Sequence, residues 1–492
     1  MLKPYKIPTV LLVAIVALLA AGEIATGTEP LFAAFVAATL ICIGITYNIL
    51  GGVSTISGIA FTGLASCTIV ISQFAKVILM EPANRPLESP ELTIKVYFVF
   101  YFCLMIGTFV YRNIRVKLPG PFEPKTVAQT NLQYTISLIV GALASFVYEF
   151  YEASSNPGER ASAAHSVGLA FSTLLLFSIV LAVQARIRST HGLHSFGVKA
   201  LVPWMIMVSF GFIETTRSRM ILPTIVYAFT CYVSGYRFRR KHYLAALLGM
   251  AAFAFVISPF EIYTRGTMRD LEFQDRLYAG YNLARTLPDW SVVKQASSAG
   301  VEAGSREDYY LRPGTFVLNR LSVIRADSNM INACENGFHY GFTGLKMDIL
   351  HDLPRFVDKN KPETDSAAYT GRVTGVNPDD VENGEFLITA ISDSYGAFGW
   401  LGVTVISLIV IPAILIFYES MFDIRRPWGI VAAGGFCFVF READLGKLLG
   451  LILRAPIGIL LLSYVVGGIV RMIPIKGDEE FTLLQEENEV ED

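Results

Sequence analysis

Apolar runs recur along this chain at a length that a bilayer dictates. A bilayer core takes about 20 consecutive apolar residues per helix. By that measure there are twelve candidate spans, near 8–26, 30–49, 53–79, 92–111, 130–151, 163–184, 198–215, 220–236, 242–263, 392–420, 427–442 and 446–470. Composition agrees: 53% of residues are hydrophobic, 17% are charged and the mean hydropathy is +0.48. A soluble chain of 492 residues carries more charge than this. The fold class expected is therefore all-α and integral to a membrane, with about twelve transmembrane helices. The third run, rich in Gly, Ser and Thr, is the least regular, and the last two are separated so little that they could be re-entrant. The opening MLKPYKIPTVLLVAIVALLAAGEIA resembles a signal peptide but lacks a small-x-small cleavage site, and another apolar run follows at once. It reads as a retained first helix.

Orientation follows from the basic connections. With the N-terminus cytoplasmic, the cytoplasmic connections are RNIRVKLPGPFEPK (112–125), ARIRSTHGLHSFGVK (185–199), GYRFRRKHY (235–243) and DIRRP (423–427), each of them basic. The intervening AGEIATGTEP, MEPANRPLESPE and YEASSNPGERAS are neutral or acidic. Both termini are thus expected in the cytoplasm. The organisation expected is a bundle over 1–264, an outer loop domain over 265–391, further membrane helices over 392–472 and an acidic tail over 473–492. The tail DEEFTLLQEENEVED carries eight acids, enough for simple solubilisation. The net charge of −2 gives no sign of a nucleic-acid partner.

A 127-residue outer loop is far longer than a connection needs. Its bases are ten Arg and four Lys against 18 acids. Arginine offers a planar fork for phosphate or carboxylate, so this bias hints at an anionic ligand, though a soluble cap with balanced charge has the same count. Cys334 is the loop's one cysteine, so no disulfide forms within it, and no CxxC or His/Cys cluster suggests zinc.

Three stretches place unusual chemistry at the outer boundary. GFIETTRSRMILP holds Glu214, Arg217 and Arg219 with almost no loop to put them in water. Charges so placed line cavities and have partners, and two arginines beside a helix start make an anion seat. FREADLGKLLGLILRAPIG adds Arg441, Glu442, Asp444, Lys447 and Arg454, where ion pairing explains as much as function does. NGEFLITAISDSYGAFGWLGV has Asp393 and Tyr395 ahead of a run of small residues, Gly396, Ala397, Gly399 and Gly402, suited either to helix packing or to ligand approach.

Taken in order, ETTRSRMILPTIVYAF (214–229), LPRFVDKNKP (353–362) and DSYGAFGWLGV (393–403) resemble the O-antigen and exopolysaccharide repeat-unit polymerases of the Wzy type, in the polymerase–ligase superfamily of membrane glycosyltransferases. The correspondences are a small-small-Arg helix entry, a Pro-Arg-aromatic…Lys-Pro loop pattern and an FG-x-x-G segment. Where the family usually has Trp-Pro, this chain has Val357-Asp358.

The resemblance implies a GT-C-like membrane enzyme of the bacterial inner membrane whose site faces the periplasm. The donor would be a glycan on undecaprenyl diphosphate and the acceptor a lipid-linked repeat unit. A flippase and a chain-length regulator of the same pathway are possible partners. Fixed cations would stabilise the departing lipid diphosphate, and a base would orient the attacking hydroxyl. The diphosphate-binding candidates are Arg217, Arg219, Arg320, Arg325, Arg355 and Lys361; the catalytic candidates are His339, His351 and Asp327, with Glu335 and Asp393 as alternative bases. His351 and Arg355 share a face if the segment is helical, whereas Pro354 favours a break there. Metal-dependent lipid-linked glycosyltransferases usually carry an acidic pair in the first outer loop. Here Glu23 and Glu29 stand well apart, so neither metal nor cofactor is expected. A ligase with the same donor is the near alternative. A twelve-helix transporter is the distant one, disfavoured by the lack of internal repeats.

Overall fold

Each of the twelve apolar runs is helical in the computed structural model, which describes residues 6–114, 116, 118–124, 126–154, 163–214, 217–268, 271, 273–286, 291–293, 310–311, 321–352, 388–440 and 443–473. Among these residues there are helices and turns but no strand. Eight helices are long and apolar enough to cross a membrane, and four shorter ones are also apolar. This is a multi-pass membrane architecture.

The first four helices are α1 (Thr9–Ala25), α2 (Pro30–Leu50), α3 (Ile56–Ile78) and α4 (Pro90–Tyr111). They are followed by α5 (Val127–Ser154), α6 (Ala163–Ser189), α7 (Val198–Ile213), α8 (Arg217–Val233) and α9 (240–268). The expected outer loop contributes α10 (Phe273–Thr286), α11 (Ile324–Glu335) and α12 (Phe342–Asp352). Then come α13 (Ala390–Met421), α14 (Pro427–Phe440), α15 (Leu445–Leu453) and α16 (Ala455–Met472). The run expected as one span over 446–470 is thus two helices meeting at Arg454. Pro456 has no N–H for the ladder and crowds the preceding turn, which accounts for the interruption.

Contacts divide the chain into two units that each draw on distant segments. One comprises Met1–Leu118, Val301–Met421 and Gly435–Pro456; the other Pro119–Gly300, Phe422–Gly434 and Ile457–Asp492. The grouping differs from the sequential division into bundle, loop and C-terminal helices, because helices in lipid pack on whichever faces fit.

In the first unit α2 and α13 both pack along α4. Lipid tails are as apolar as the side chains, so close packing and hydrogen bonds hold such helices together. Gly107 of α4 lies so near the Leu408 carbonyl that a Cβ there would stand 2.3 Å from its oxygen. The Gly/Ser/Thr-rich α3 proves to be among the more enclosed spans, 67% buried. Its small polar groups bond inward, Ser57 Oγ to the Leu415 carbonyl at 3.1 Å and Thr68 Oγ1 to the Tyr101 hydroxyl at 2.5 Å. The second unit is built on the α5–α6 hairpin, on which α7 and α10 also pack. Its core includes Ile179, Val183, Ile187 and Cys231, and Phe177 stacks on Trp428 at 3.9 Å.

Candidate functional site

The first unit gathers several of the candidate residues around the N-terminal end of α13. Thr389 is its N-cap, in extended conformation, and accepts from the Ile391 N–H at 3.2 Å. Over this helix start sits Asp327 of α11, fully buried. Its Oδ1 accepts from Thr389 N at 3.1 Å and Ser392 Oγ at 2.5 Å. Its Oδ2 accepts from Thr389 Oγ1 at 2.8 Å and from the Tyr97 hydroxyl of α4. Burial pushes the Asp327 carboxyl above its ordinary range, while the bonds from Ser392, Tyr97 and Thr389 pull it back. A carboxyl so enclosed has no oxygen turned to a substrate. Its chemistry is that of an anchor tying α11 and α4 to the start of α13, where the helix dipole favours an acid.

Eight residues on, α13 breaks. Phe398 has φ −139° and ψ 18°, and Gly399 has φ +58° and ψ −142°, a region that L side chains rarely enter. The break leaves carbonyls of the first half without helical partners, and residues 338–341 cover them. The Tyr340 N–H donates to the Gly396 carbonyl at 3.3 Å, and the Tyr340 hydroxyl to the Asp393 carbonyl at 2.6 Å. His339 Nδ1 lies 3.3 Å from the same Gly396 oxygen. A carbonyl only accepts, so Nδ1 carries the proton and the neutral ring keeps its lone pair on Nε2. His339 is exposed. Around it stand Tyr395 at 6.2 Å between ring centres, Trp400 at 5.5 Å from Tyr395, and the Phe342–Phe398 pair at 4.8 Å. Aromatic faces of this kind suit the apolar faces of sugars.

Behind the break Asp393, also fully buried, accepts from Leu445 N at 2.6 Å through Oδ2. This joins α13 to α15, whose N-cap Asp444 holds the Lys447 ammonium at 3.0 Å. Helix α12 packs on α15. Arg325 is buried on α11 and lies close enough to repel Lys76. The Lys76 ammonium pairs with Glu81 at 3.0 Å and sits 4.5 Å above the Tyr310 ring. Glu23 is buried within electrostatic range of Tyr310.

Arg219 belongs to the second unit. There its Nε pairs with Glu214 at 3.0 Å, and its guanidinium lies 4.2 Å over the Tyr148 ring. An anion seat at Arg219 must therefore share that cation with Glu214. Arg320, Arg355 and Lys361, with the Val357-Asp358 departure, lie outside the described residues, as do the side chains of Arg217 and His351. Helix α12 is described as far as Asp352, so whether His351 and Arg355 share a helical face lies outside the described residues. The structure thus brings His339 and Asp327 to the two ends of one half-helix, with Arg325 on the same helix as Asp327.

Four members of this arrangement escape the sequence reading: Lys76, Tyr97, Thr389 and Ser392. Lys76 carries a signal, an ionisable residue inside an apolar run. Tyr97 carries none. Among the described residues no three His, Cys, Asp or Glu side chains come together to share a metal ion. No protein-family profile, curated protein or solved structure matches this chain.

Proposed function

We propose that this chain is an inverting glycosyltransferase that polymerises undecaprenyl-diphosphate-linked repeat units at the periplasmic face of the bacterial inner membrane. The supporting observation is the break in α13 inside the FG-x-x-G segment, where the 338–341 strap presents His339 Nε2 among aromatic rings. On this reading the twelve apolar helices all span the bilayer, and the donor and acceptor sugars meet at the break.

The acceptor hydroxyl gives its proton to His339 Nε2 as its oxygen attacks the donor's anomeric carbon. The bond from that carbon to the diphosphate oxygen breaks on the opposite face, with inversion, and the electron pair leaves with the lipid diphosphate. The imidazolium that forms keeps its Nδ1–H on the Gly396 carbonyl. Positive charge for the leaving group falls to Arg325 and to the loop bases Arg320, Arg355 and Lys361. Asp327 acts through position alone.

Deletion of the gene, followed by a gel of the host's surface glycan, tests the reading. A polymer ladder reduced to a single repeat unit supports it. Loss of all attached glycan assigns a ligase instead, and an unchanged ladder contradicts both.

A further inference from the structure

The second unit carries a cavity that the proposed reaction does not use. It measures about 220 Å³ and is lined by Leu193, His194, Tyr236, Arg239, Lys241 and His242. Two turns build it, one between α6 and α7 and one between α8 and α9, both on the side expected to be cytoplasmic. The turns are fastened together, because the Arg237 N–H donates to the Gly192 carbonyl at 3.0 Å. Tyr236 packs on the core around Ile187 and Cys231. The backbone of the two turns and the Tyr236 wall are thus held in place before any ligand arrives, which lowers the entropy lost on binding.

Hydrogen bonding settles what the walls offer. The Arg239 N–H donates to His242 Nδ1 at 2.9 Å. A backbone N–H only donates, so the His242 lone pair is on Nδ1 and the neutral ring's proton is on Nε2. That nitrogen lies 3.1 Å from the Tyr236 hydroxyl, which accepts the proton and leaves its own O–H to donate elsewhere. The cavity therefore gathers a hydroxyl donor, a guanidinium fork, an ammonium and the His194 ring. None of its six lining residues is acidic. This donor-rich, cationic lining suits a phosphate ester.

The neighbouring surface selects the kind of ester. Helix α9 starts at the cavity, and its Leu244, Leu247 and Leu248 are 57%, 59% and 61% exposed. Within Arg240–Phe260 an 18-residue window has a mean hydropathy of 2.0, and only 6% of that window is buried. With α9 spanning the bilayer this face lies against acyl chains, which sets the cavity at the level of the lipid headgroups, and a phospholipid held there fills the cavity and lies along the helix together. We propose that the cavity binds the phosphate headgroup of an anionic phospholipid of the cytoplasmic leaflet, with its acyl chains along α9. Basic pockets between membrane helices on this side have the right electrostatics for such headgroups.

The test is native mass spectrometry of the full chain, released from nanodiscs of mixed phosphatidylglycerol and phosphatidylethanolamine. Phosphatidylglycerol should remain bound in preference to phosphatidylethanolamine, and excess glycerol 3-phosphate or inorganic phosphate should not displace it. Each basic residue is worth a factor of about five in such binding, so Arg239→Gln with Lys241→Gln should weaken retention roughly thirtyfold at an unchanged unfolding temperature. Tyr236→Phe, which removes only a hydroxyl, should weaken it about tenfold and carries the test if the double variant does not accumulate. Equal retention of the two lipids, or undiminished retention in the variants, overturns the proposal. Displacement by the soluble phosphates overturns the lipid assignment and makes the cavity a site for a free phosphate ester.

Discussion

Gly399→Ala separates backbone from packing at the break in α13. A Cβ built on Gly399 meets nothing nearer than His339 Cε1 at 4.0 Å, an ordinary contact. The space for alanine is present; the conformation is not, because φ +58° with ψ −142° is a region essentially reserved for glycine. Holding a side-chain-bearing residue there costs about 1–3 kcal/mol. The chain can accept that strain or relax the break, and relaxing it moves the Gly396 carbonyl that His339 and Tyr340 share. If the whole cost reaches the transition state, transfer slows roughly 5- to 150-fold. The control is Gly435→Ala in α14, which has a normal helical φ and no heavy atom within 4 Å of the added Cβ. Alanine is the better helix former by about 1 kcal/mol, so this variant should be neutral or slightly more stable. The assays are thermal unfolding of purified protein and the length distribution of the host's surface glycan. A Gly399→Ala protein matching the parent in both would refute the argument that a glycine-only backbone holds this site.

His339→Gln should lose about 10²- to 10⁴-fold in transfer rate at a nearly unchanged unfolding temperature, since the residue is exposed; substantial activity removes it as the base. Asp327→Ala leaves four buried donors without their acceptor, at about 1–3 kcal/mol each, and should accumulate poorly, with Asp327→Asn intermediate by the same measure. Glu123, half-buried in the connection that leads into α5, has its carboxyl pushed up to about 8 by desolvation against the opposing pull of Arg426. A raised folded value favours proton binding by the folded state. Its stabilising contribution is therefore present at acid pH and lost as pH rises from the ordinary carboxylate range through about 8, and Glu123→Gln should flatten that slope in detergent unfolding curves. Glu214→Gln removes the carboxylate 3.0 Å from Arg219 and, on the anion-seat reading, should tighten pyrophosphate binding to the purified protein, measured by calorimetry.

The spans are the part of this fold that the sequence announces most clearly, because bilayer thickness imposes a length no other constraint imitates. Even the Gly/Ser/Thr-rich α3 follows the rule, its small polar side chains turned inward to carbonyls such as that of Leu415. The division at Arg454 was obscured by the apolar residues on either side, although Pro456 marks it. The site was legible in its parts and not in its assembly. The glycines of 396–402 announced a special backbone, but not that the break falls at Phe398–Gly399 and that residues 338–341 cover it. Asp327 stood out in the sequence as a candidate base, not as an anchor. Its function as an anchor depends on Tyr97, 230 residues away, and on Thr389, 62 residues away, and no periodicity carries pairings of that range. Arg219 shows the reverse, since its partner Glu214 was five residues away and in plain view.

The most direct measurement is glycan extension in a purified system. The full chain in nanodiscs receives the lipid-diphosphate-linked repeat unit extracted from its own host, and products are separated by length. Products of two or more repeats with the parent protein, absent with His339→Gln, are the expected result. A parent protein that binds this substrate yet never lengthens it contradicts the account.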